Sequence, residues 1–161
     1  MGSVSQNFSA LTLGGLSSGA ATLALGSSGT AILTGNLTFS AANNPSGATI
    51  SGSGASTLDL NAATRTFVVG SSSSANGADL TISAVIADTL TGGALTKTGN
   101  GTLVLTGANT YVGTTSVHGG TLSVSPQAIS SSLTINVGTN STAGALNFYA
   151  DGAISAVNLA S

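Results

Sequence analysis

The feature that most constrains this chain is a short alternation of apolar and small polar residues that recurs along its length. Each instance is an apolar residue, one intervening residue and a second apolar residue, flanked by Gly, Ser, Asn or Ala. Because successive side chains of a strand point to opposite faces, the pattern predicts short strands with one buried face. The frequent glycines would cost a helix about 1 kcal/mol each. The triplets lie at 23–25, 37–39, 58–60, 80–82, 103–105, 122–124 and 133–135.

The triplets return at a nearly constant interval. Six steps lead from Leu11 to Leu146 and cover 135 residues, so the mean period is about 22 residues. A period of this size indicates a solenoid, whereas a propeller blade needs about 40 residues. We therefore predict an all-β chain, a single parallel β-helix domain over residues 1–161, with about seven coils of about 22 residues. The markers are Leu11, Leu37, Leu58, Leu80, Leu103, Leu122 and Leu146.

The near absence of charge excludes several function classes. Charged residues make up 4% of the chain, and Arg65 and Lys97 are its only bases. A nucleic-acid-binding protein or a membrane-surface helix needs a basic patch, so neither is expected. The chain has no Cys, which excludes disulfides and Cys-based zinc sites. Residues 1–15 contain no Lys or Arg and no long apolar run, so they do not read as an export signal.

Residues 93–124 carry the most regular pattern, in which Gly, Asn and Thr punctuate the apolar alternation at fixed spacings. This segment closely resembles the autotransporter-associated β-strand repeat, also called the passenger-associated transport repeat. The matching positions are Leu95, Lys97, Gly99, Gly101, Thr102, Leu103, Leu105, Gly107, Asn109, Tyr111, Gly113, Thr115, Val117, Gly120, Thr121, Leu122 and Val124.

The resemblance implies the passenger of a Gram-negative autotransporter, at the cell surface or outside the cell, folded as a right-handed single-stranded parallel β-helix. It also implies an outer-membrane translocator barrel as partner in a full-length protein, and a repeat that assists passage across the outer membrane. The sequence contains neither an export signal nor a barrel, and it ends within a further predicted coil. We therefore expect a piece of a passenger or a small stand-alone derivative.

The function predicted first is a non-catalytic structural segment that supports secretion and serves as a stalk or spacer. The alternative is an adhesin-type binding module or a self-stacking filament subunit. A polysaccharide-acting β-helix enzyme is a remote alternative. An ice-binding protein is another, because Thr-x-Thr occurs at 64–66, 89–91 and 96–98. The spacing of these motifs is irregular, however, and two of them carry a base in the middle.

Catalysis would have to use the four aspartates, Asp59, Asp79, Asp88 and Asp151. Asp59 is predicted to point outward from a strand, and Asp59 and Asp79 are one predicted coil apart, a spacing that allows them to stack. A glycan-cleaving site needs two or three convergent carboxylates, which this sparse set does not suggest. We expect turn-capping or surface aspartates, no enzymatic activity, no cofactor and no small-molecule substrate. The single His118 cannot form a metal site alone.

Other polar and aromatic residues receive structural assignments. Lys97 is predicted to be a solvated, outward side chain of the repeat. Asn100, Asn109, Asn136 and Asn140 are predicted at turns, with hydrogen-bonded ladders between coils as an alternative. The aromatic residues are predicted to fill the lumen or pack at its ends, and they are Phe39, Phe67, Tyr111, Phe148 and Tyr149.

Three expectations concern the whole rod. Leu103, Leu105, Leu122 and Val124 are predicted to line the lumen, and residues 93–124 to form the stability core. The ends of the helix expose unpaired strand edges, so we expect end-to-end self-association into head-to-tail filaments. The competing prediction is that residues 1–10 or 150–161 fold over the ends and leave a monomer.

Overall fold

The strands of this protein form three parallel sheets, and the chain visits each sheet in turn. The computed structural model describes residues 4–15, 19–73, 77–128, 135–138, 144–148 and 157–159. With strands numbered in chain order, the first sheet contains β1 (Ser5–Phe8), β4 (Thr30–Leu33), β7 (Thr57–Asp59) and β10 (Val85–Ala87). The second contains β2 (Leu11–Gly14), β5 (Leu37–Ser40), β8 (Thr64–Val69), β11 (Ala94–Thr98), β13 (Thr115–Val117), β15 (Ile135–Val137) and β17 (Val157–Leu159). The third contains β3 (Ala21–Ala24), β6 (Ala48–Ser51), β9 (Leu80–Ile82), β12 (Thr102–Leu105), β14 (Gly120–Val124) and β16 (Gly144–Phe148).

Each strand pairs in parallel with the strand one coil away, so the fold is the predicted all-β solenoid. The coil count is about five turns, because the six strands of the third sheet enclose five steps. The predicted seven coils were therefore too many. A short 3₁₀ helix, Pro126–Ala128, follows β14. Among the described residues, no helix has the length and apolar character needed to cross a membrane.

The predicted period was wrong because its markers lie in different sheets. Leu37 belongs to the second sheet, Leu58 to the first and Leu80 to the third. Measured within the second sheet, the true step is 30 residues from Leu37 to Phe67. It shortens to 20 residues from Lys97 to Val117. The average of about 22 residues thus hid a change in coil size along the rod.

The lumen is lined mainly by apolar side chains. The four predicted lumen residues, Leu103, Leu105, Leu122 and Val124, are all buried in one core cluster. Register accounts for this placement, since Leu103 lies opposite Leu122 and Leu105 lies opposite Val124 on adjacent coils. Full burial of one such side chain contributes roughly 1.5–3 kcal/mol, so the stacked columns are the main source of stability.

The first sheet ends before the other two sheets do. Within the described residues no strand follows β10 in that sheet, while the second and third sheets continue. Residues 106–114, which form no strand, take its place, and Thr110 N donates to Ile86 O over 2.9 Å. The solenoid therefore changes from three sheets to two at this level.

Some predictions concern residues outside the described ranges. These residues are Leu133, Thr134, Asn140, Tyr149 and Asp151. Of the residues 150–161 predicted to close one end, only β17 is described, and it pairs with β15 as part of the wall. Residues 5–8 likewise form β1, which pairs with β4. The prediction that the N-terminal segment folds over the end is wrong for these four residues.

Candidate functional site in the repeat at residues 93–124

The repeat occupies the coils at which the first sheet ends. It contributes β11 to β14, two strands to the second sheet and two to the third, and its loop at 106–114 covers the open side. Lys97, Asn109 and Tyr111 of the motif are buried at this junction.

Lys97 lies inside the lumen, so the prediction of a solvated outward side chain is wrong. It is in register with Phe67 and Val117, which are both fully buried, and Lys97 itself is 0% exposed. Its Nζ donates to the carbonyl oxygens of Gly119 at 2.9 Å and Gly99 at 3.1 Å. A third, longer contact joins Nζ to the carbonyl of Thr98 at 3.4 Å. Because Gly99 and Gly119 belong to adjacent coils, the ammonium ties those coils together.

The burial of Lys97 changes its acidity. Loss of hydration lowers the pKa of the amine to about 8, and the negative charge of Asp79 raises it in part. Asp79 is itself buried, and its carboxylate accepts hydrogen bonds from Ser72 N at 2.6 Å and Thr102 N at 2.7 Å. Desolvation disfavours an ammonium, so the folded protein holds this charge at a cost in free energy.

The side chain of Asn109 makes hydrogen bonds that a further strand of the first sheet would otherwise make. Its side chain is 5% exposed; Oδ1 accepts from Ile86 N at 2.8 Å, and Nδ2 donates to Ala128 O at 2.9 Å. Ile86 is in β10, the last strand of the first sheet, and Ala128 is in the 3₁₀ helix. The amide thus bridges successive coils as a single link and is not part of a ladder of asparagines.

The other predicted turn asparagines differ from one another. Asn100 is exposed at a bend after β11, in agreement with its prediction. Asn136 lies in the middle of β15, opposite Ser116 of β13, so the turn prediction is wrong for it.

Tyr111 fills the lumen where the first sheet is absent, as predicted. It is 1% exposed, and its hydroxyl lies 2.6 Å from Oγ1 of Thr115, which is also buried. Burial raises the pKa of Tyr111 to about 12. Phe39 and Phe67 are also in the core cluster, which confirms their predicted place.

The glycines of the repeat lie where one coil passes directly over another. At five of them, a Cβ atom would overlap a backbone carbonyl oxygen of the preceding coil. A side chain at these positions would therefore push neighbouring coils apart, and this close approach explains why the motif needs glycine. The positions, with their neighbours, are Gly99 over Val69, Gly101 over Gly70, Gly107 over Ala84, Gly113 over Gly93 and Gly120 over Gly101.

The remaining matching positions build the walls. Leu95 and Val117 point into the lumen beside the four leucine and valine residues already described. Thr102 and Thr121 are paired in register on the third sheet and are partly exposed. The motif therefore specifies lumen, corners and coil-to-coil contacts.

Each described aspartate holds a turn. Asp59 is 3% exposed, and its carboxylate accepts from Asn61 N at 2.7 Å and from Thr89 Oγ1 at 2.6 Å. Asp59 lies in the outward column of the first sheet, between Ile32 and Ala87, as predicted, although it is buried and not solvated. Asp88 accepts from Ala62 N at 2.7 Å and Gly93 N at 2.6 Å. These contacts agree with the predicted turn-capping role.

The predicted stacking of Asp59 with Asp79 is wrong. Asp59 ends β7 of the first sheet and lies opposite Ala87, whereas Asp79 precedes β9 of the third sheet. They hold different corners of the coil. Throughout the described ranges, no three His, Cys, Asp or Glu side chains come together as metal ligands.

Arg65 also points inward. It is 9% exposed and donates from Nε to Leu60 O at 2.8 Å and from one terminal nitrogen to Thr34 O at 3.0 Å. The side chains of both Arg65 and Lys97 are therefore buried and do not lie on the outer face of the sheet. The Thr-x-Thr motifs around them are irregularly spaced. The sequence held a signal for this, since Arg65 and Lys97 share the strand parity of the buried Phe67 and Leu95.

A shallow groove runs across several coils on the outer surface. It encloses about 320 Å³ and is lined by residues that include Ser53, Ser83, Thr106 and Gln127. Ser56 also lines it, and its buried hydroxyl has no hydrogen-bond partner among the described residues. Its lining contains no ionisable side chain.

Comparison with known proteins supports the resemblance of the repeat. Residues 95–124 match the family model described as passenger-associated-transport-repeat. No curated protein and no solved structure was found to match the chain. The match covers the segment that holds Lys97, Asn109 and Tyr111, and with the solenoid fold it fits an autotransporter passenger segment.

Proposed function

We propose that this chain, which contains a passenger-associated-transport-repeat, is a non-catalytic structural segment of a secreted or surface-displayed autotransporter passenger. In this role the repeat supports passage across the outer membrane of a Gram-negative bacterium and folding on the outside. The solenoid is then a stalk or spacer, and an outer-membrane translocator barrel is the partner of the full-length protein.

The observation that carries the proposal is the matched segment and what it does in the fold. Its Lys97 and Asn109 link successive coils through buried hydrogen bonds, and its Tyr111 fills the lumen. In a solenoid each repeat contacts only its neighbours and folding can propagate from one nucleus. A segment that nucleates coils outside the cell would hinder backward movement of the chain.

The test places the chain between an export signal and a translocator barrel and measures display by protease accessibility on intact cells. The Asn109→Ala variant should reduce display several-fold. The matched control is Leu13→Ala, which removes a buried side chain from the first coil. It should destabilise the rod by about 2–5 kcal/mol yet reduce display less. Equal loss in both variants, or full display of Asn109→Ala, would contradict a special role of the repeat.

The absence of catalysis belongs to the proposal. Both carboxylate oxygens of Asp59, Asp79 and Asp88 accept hydrogen bonds that hold turns, so these groups serve the backbone. Incubation with pectins, xylans and other glycans should give no products. Turnover that disappears in Asp59→Ala or Asp79→Ala would overturn the non-catalytic assignment.

The second candidate function is an adhesin-type binding module, and the outer groove favours it. A neutral groove with serine and threonine hydroxyls suits an uncharged ligand with many hydroxyl groups. Binding to a glycan array that is lost in Ser83→Gln and kept in Thr12→Gln would support this function over a pure spacer.

A further inference from the structure

The chain contains two Asn-Gly dipeptides, at residues 76–77 and 100–101. Asn76 lies outside the described residues, whereas Asn100 and Gly101 form part of the bend between β11 and β12. An asparagine amide is lost most readily before glycine, because glycine has no Cβ to hinder attack by its own peptide nitrogen. The bend therefore places a chemically labile dipeptide inside the segment that matches the family model.

The reaction at such a dipeptide rebuilds the main chain. The peptide nitrogen of Gly101 attacks Cγ of Asn100, and a new C–N bond closes a succinimide ring. The bond from Cγ to the side-chain nitrogen breaks, and the proton of the peptide nitrogen passes through solvent to the departing ammonia. Water then opens the ring at either carbonyl. One product is aspartate, and the other is isoaspartate, whose main chain runs through Cγ and is longer by one carbon atom.

The folded rod holds the attacking nitrogen in a coil-to-coil hydrogen bond. Gly101 is buried, and its N–H donates to Val69 O of the preceding coil at 2.9 Å. Its carbonyl oxygen accepts from Thr121 N of the following coil at 3.2 Å. Attack requires a deprotonated nitrogen that faces Cγ of Asn100, so the bond to Val69 O must break first. A hydrogen bond within packed coils breaks only when that part of the structure opens.

The side chain that would lose its amide is exposed to water. Solvent, which accepts the proton and later opens the ring, therefore reaches Asn100 in the folded protein. Burial of the amide provides no protection at this site. The protection depends on the peptide nitrogen of Gly101, and it is lost when the contact with the preceding coil opens.

The bend has no room for the longer main chain of isoaspartate. A Cβ at Gly101 would overlap Gly70 O, and a Cβ at Gly120 would lie 2.8 Å from the carbonyl carbon of Asn100. Backbone thus packs against backbone on both sides of the bend. Lys97 also ties the coil of this bend to the next coil through its buried ammonium. A main chain with one additional atom cannot keep all of these contacts.

We propose that Asn100–Gly101 is a deamidation site that folding of the repeat switches off. While the repeat is open, the peptide nitrogen of Gly101 converts Asn100 to aspartate and isoaspartate and releases ammonia. When the coils close, the hydrogen bond to Val69 O stops the reaction. Isoaspartate that forms before closure prevents the bend from packing, so a chain that stays open too long loses the ability to fold. This inference does not rest on the proposed function.

Peptide mapping after incubation in mildly alkaline buffer tests the site. Trypsin cuts after Arg65 and Lys97, the only bases, so the two Asn-Gly dipeptides fall in separate peptides, 66–97 and 98–161. In guanidinium chloride, mass spectrometry with fragmentation should show conversion at Asn100. Asn100→Gln is the matched control, because the longer side chain closes the ring poorly and position 100 is exposed. An unfolded natural chain with no conversion at Asn100, or with no more than the control shows at position 100, would overturn the site.

The same measurement on the folded chain tests the protection. At the same pH and temperature without denaturant, conversion at Asn100 should be at least about tenfold slower, because the coil contact has to open first. Leu103→Asp, which is expected to be unfolded without denaturant, should react as fast as the natural chain in guanidinium chloride. This comparison separates unfolding from an effect of the denaturant. Equal rates in the folded and unfolded natural chain would overturn the protection by folding.

Refolding tests the consequence of the modification. A natural chain aged in guanidinium chloride is returned to native buffer, and folded molecules are separated from unfolded ones by size-exclusion chromatography. Isoaspartate at position 100 should be several-fold depleted in the folded fraction, whereas aspartate should not be. Fresh Asn100→Asp carries the same charge on an ordinary main chain and should refold like the natural chain. Equal isoaspartate in both fractions, or failure of Asn100→Asp to refold, would overturn the role of main-chain length.

Discussion

The three-sheeted region of the rod, up to β10, and the two-sheeted region that begins in the repeat close the same lumen in different ways. In the three-sheeted region a ladder of strands forms the third side of every coil. In the described part of the two-sheeted region, the loop at 106–114, the amide of Asn109 and the ring of Tyr111 do so. The exposed edge of β10 requires an acceptor for Ile86 N, since an unpaired buried peptide group is costly. The difference shows that a sheet inside a solenoid can end if side chains take over its hydrogen bonds.

The largest expected effect is the loss of folding when a charge is placed in the lumen of the two-sheeted region. Leu103→Asp places a charge among buried leucines with no partner, at a cost of several kcal/mol, and should abolish folding. Val112→Asp is the control, because Val112 is 57% exposed in the same coil. Thermal melting followed by circular dichroism gives the answer. An unchanged melting temperature for Leu103→Asp would contradict its place in the lumen.

The next largest effect is the pH dependence of the free energy of unfolding, which reports on the buried ammonium of Lys97. The pKa of Lys97 is lowered from 10.5 to about 8 by folding, so between these values the unfolded chain binds the additional proton. The free energy of unfolding should therefore rise with pH from about 8 to about 10, by up to about 3 kcal/mol.

Denaturant unfolding of the natural chain and of Lys97→Met at pH 7, 8, 9 and 10 measures this rise. The variant should show no comparable increase, and it should be at least as stable as the natural chain at pH 7. The pKa of Tyr111 is raised to about 12, so the natural chain should lose stability again above about pH 10. A flat profile below pH 10 would contradict the burial of the amine.

A smaller effect compares two asparagines, one from each region. Asn109→Ala leaves Ile86 N and Ala128 O without their side-chain partner in a buried site and should cost about 2 kcal/mol. Asn36 is exposed, and its Oδ1 accepts from Thr66 N at 3.0 Å. Asn36→Ala should cost less than about 1 kcal/mol, since water can replace that contact. Equal losses in denaturant unfolding would remove the distinction between the two regions.

The smallest effect needs no substitution. Amide hydrogen exchange should be slowest at residues 95–124, and slower there than in β1–β3 by at least about tenfold, or about 1.4 kcal/mol. The reason is that Phe8 and Leu23 in the first coil are only partly buried, whereas Leu103 and Leu122 in the repeat are 0% exposed. Slowest exchange in β1–β3, or uniform exchange, would show that the repeat is not the stability core.

The sequence allowed the strands and the solenoid to be predicted, because the alternation of apolar residues within a strand does not depend on the number of residues in a coil. The coil count was wrong for the same reason: Leu58 and Leu80 look alike in sequence although they belong to different sheets. Residue type misled the prediction for Lys97, where strand parity with Leu95 pointed inward. The bridge made by Asn109 could not be predicted, since it depends on where β10 ends.

The loss of the first sheet also affects how the rod responds to mechanical force. Among the described strands, tension along the axis is shared by three hydrogen-bonded ladders up to β10 and by two beyond it. Each of those two ladders would therefore bear half again as much load. If the chain is pulled along its axis, the load on each ladder therefore rises at one coil. This is the coil where Asn109 joins β10 to the 3₁₀ helix.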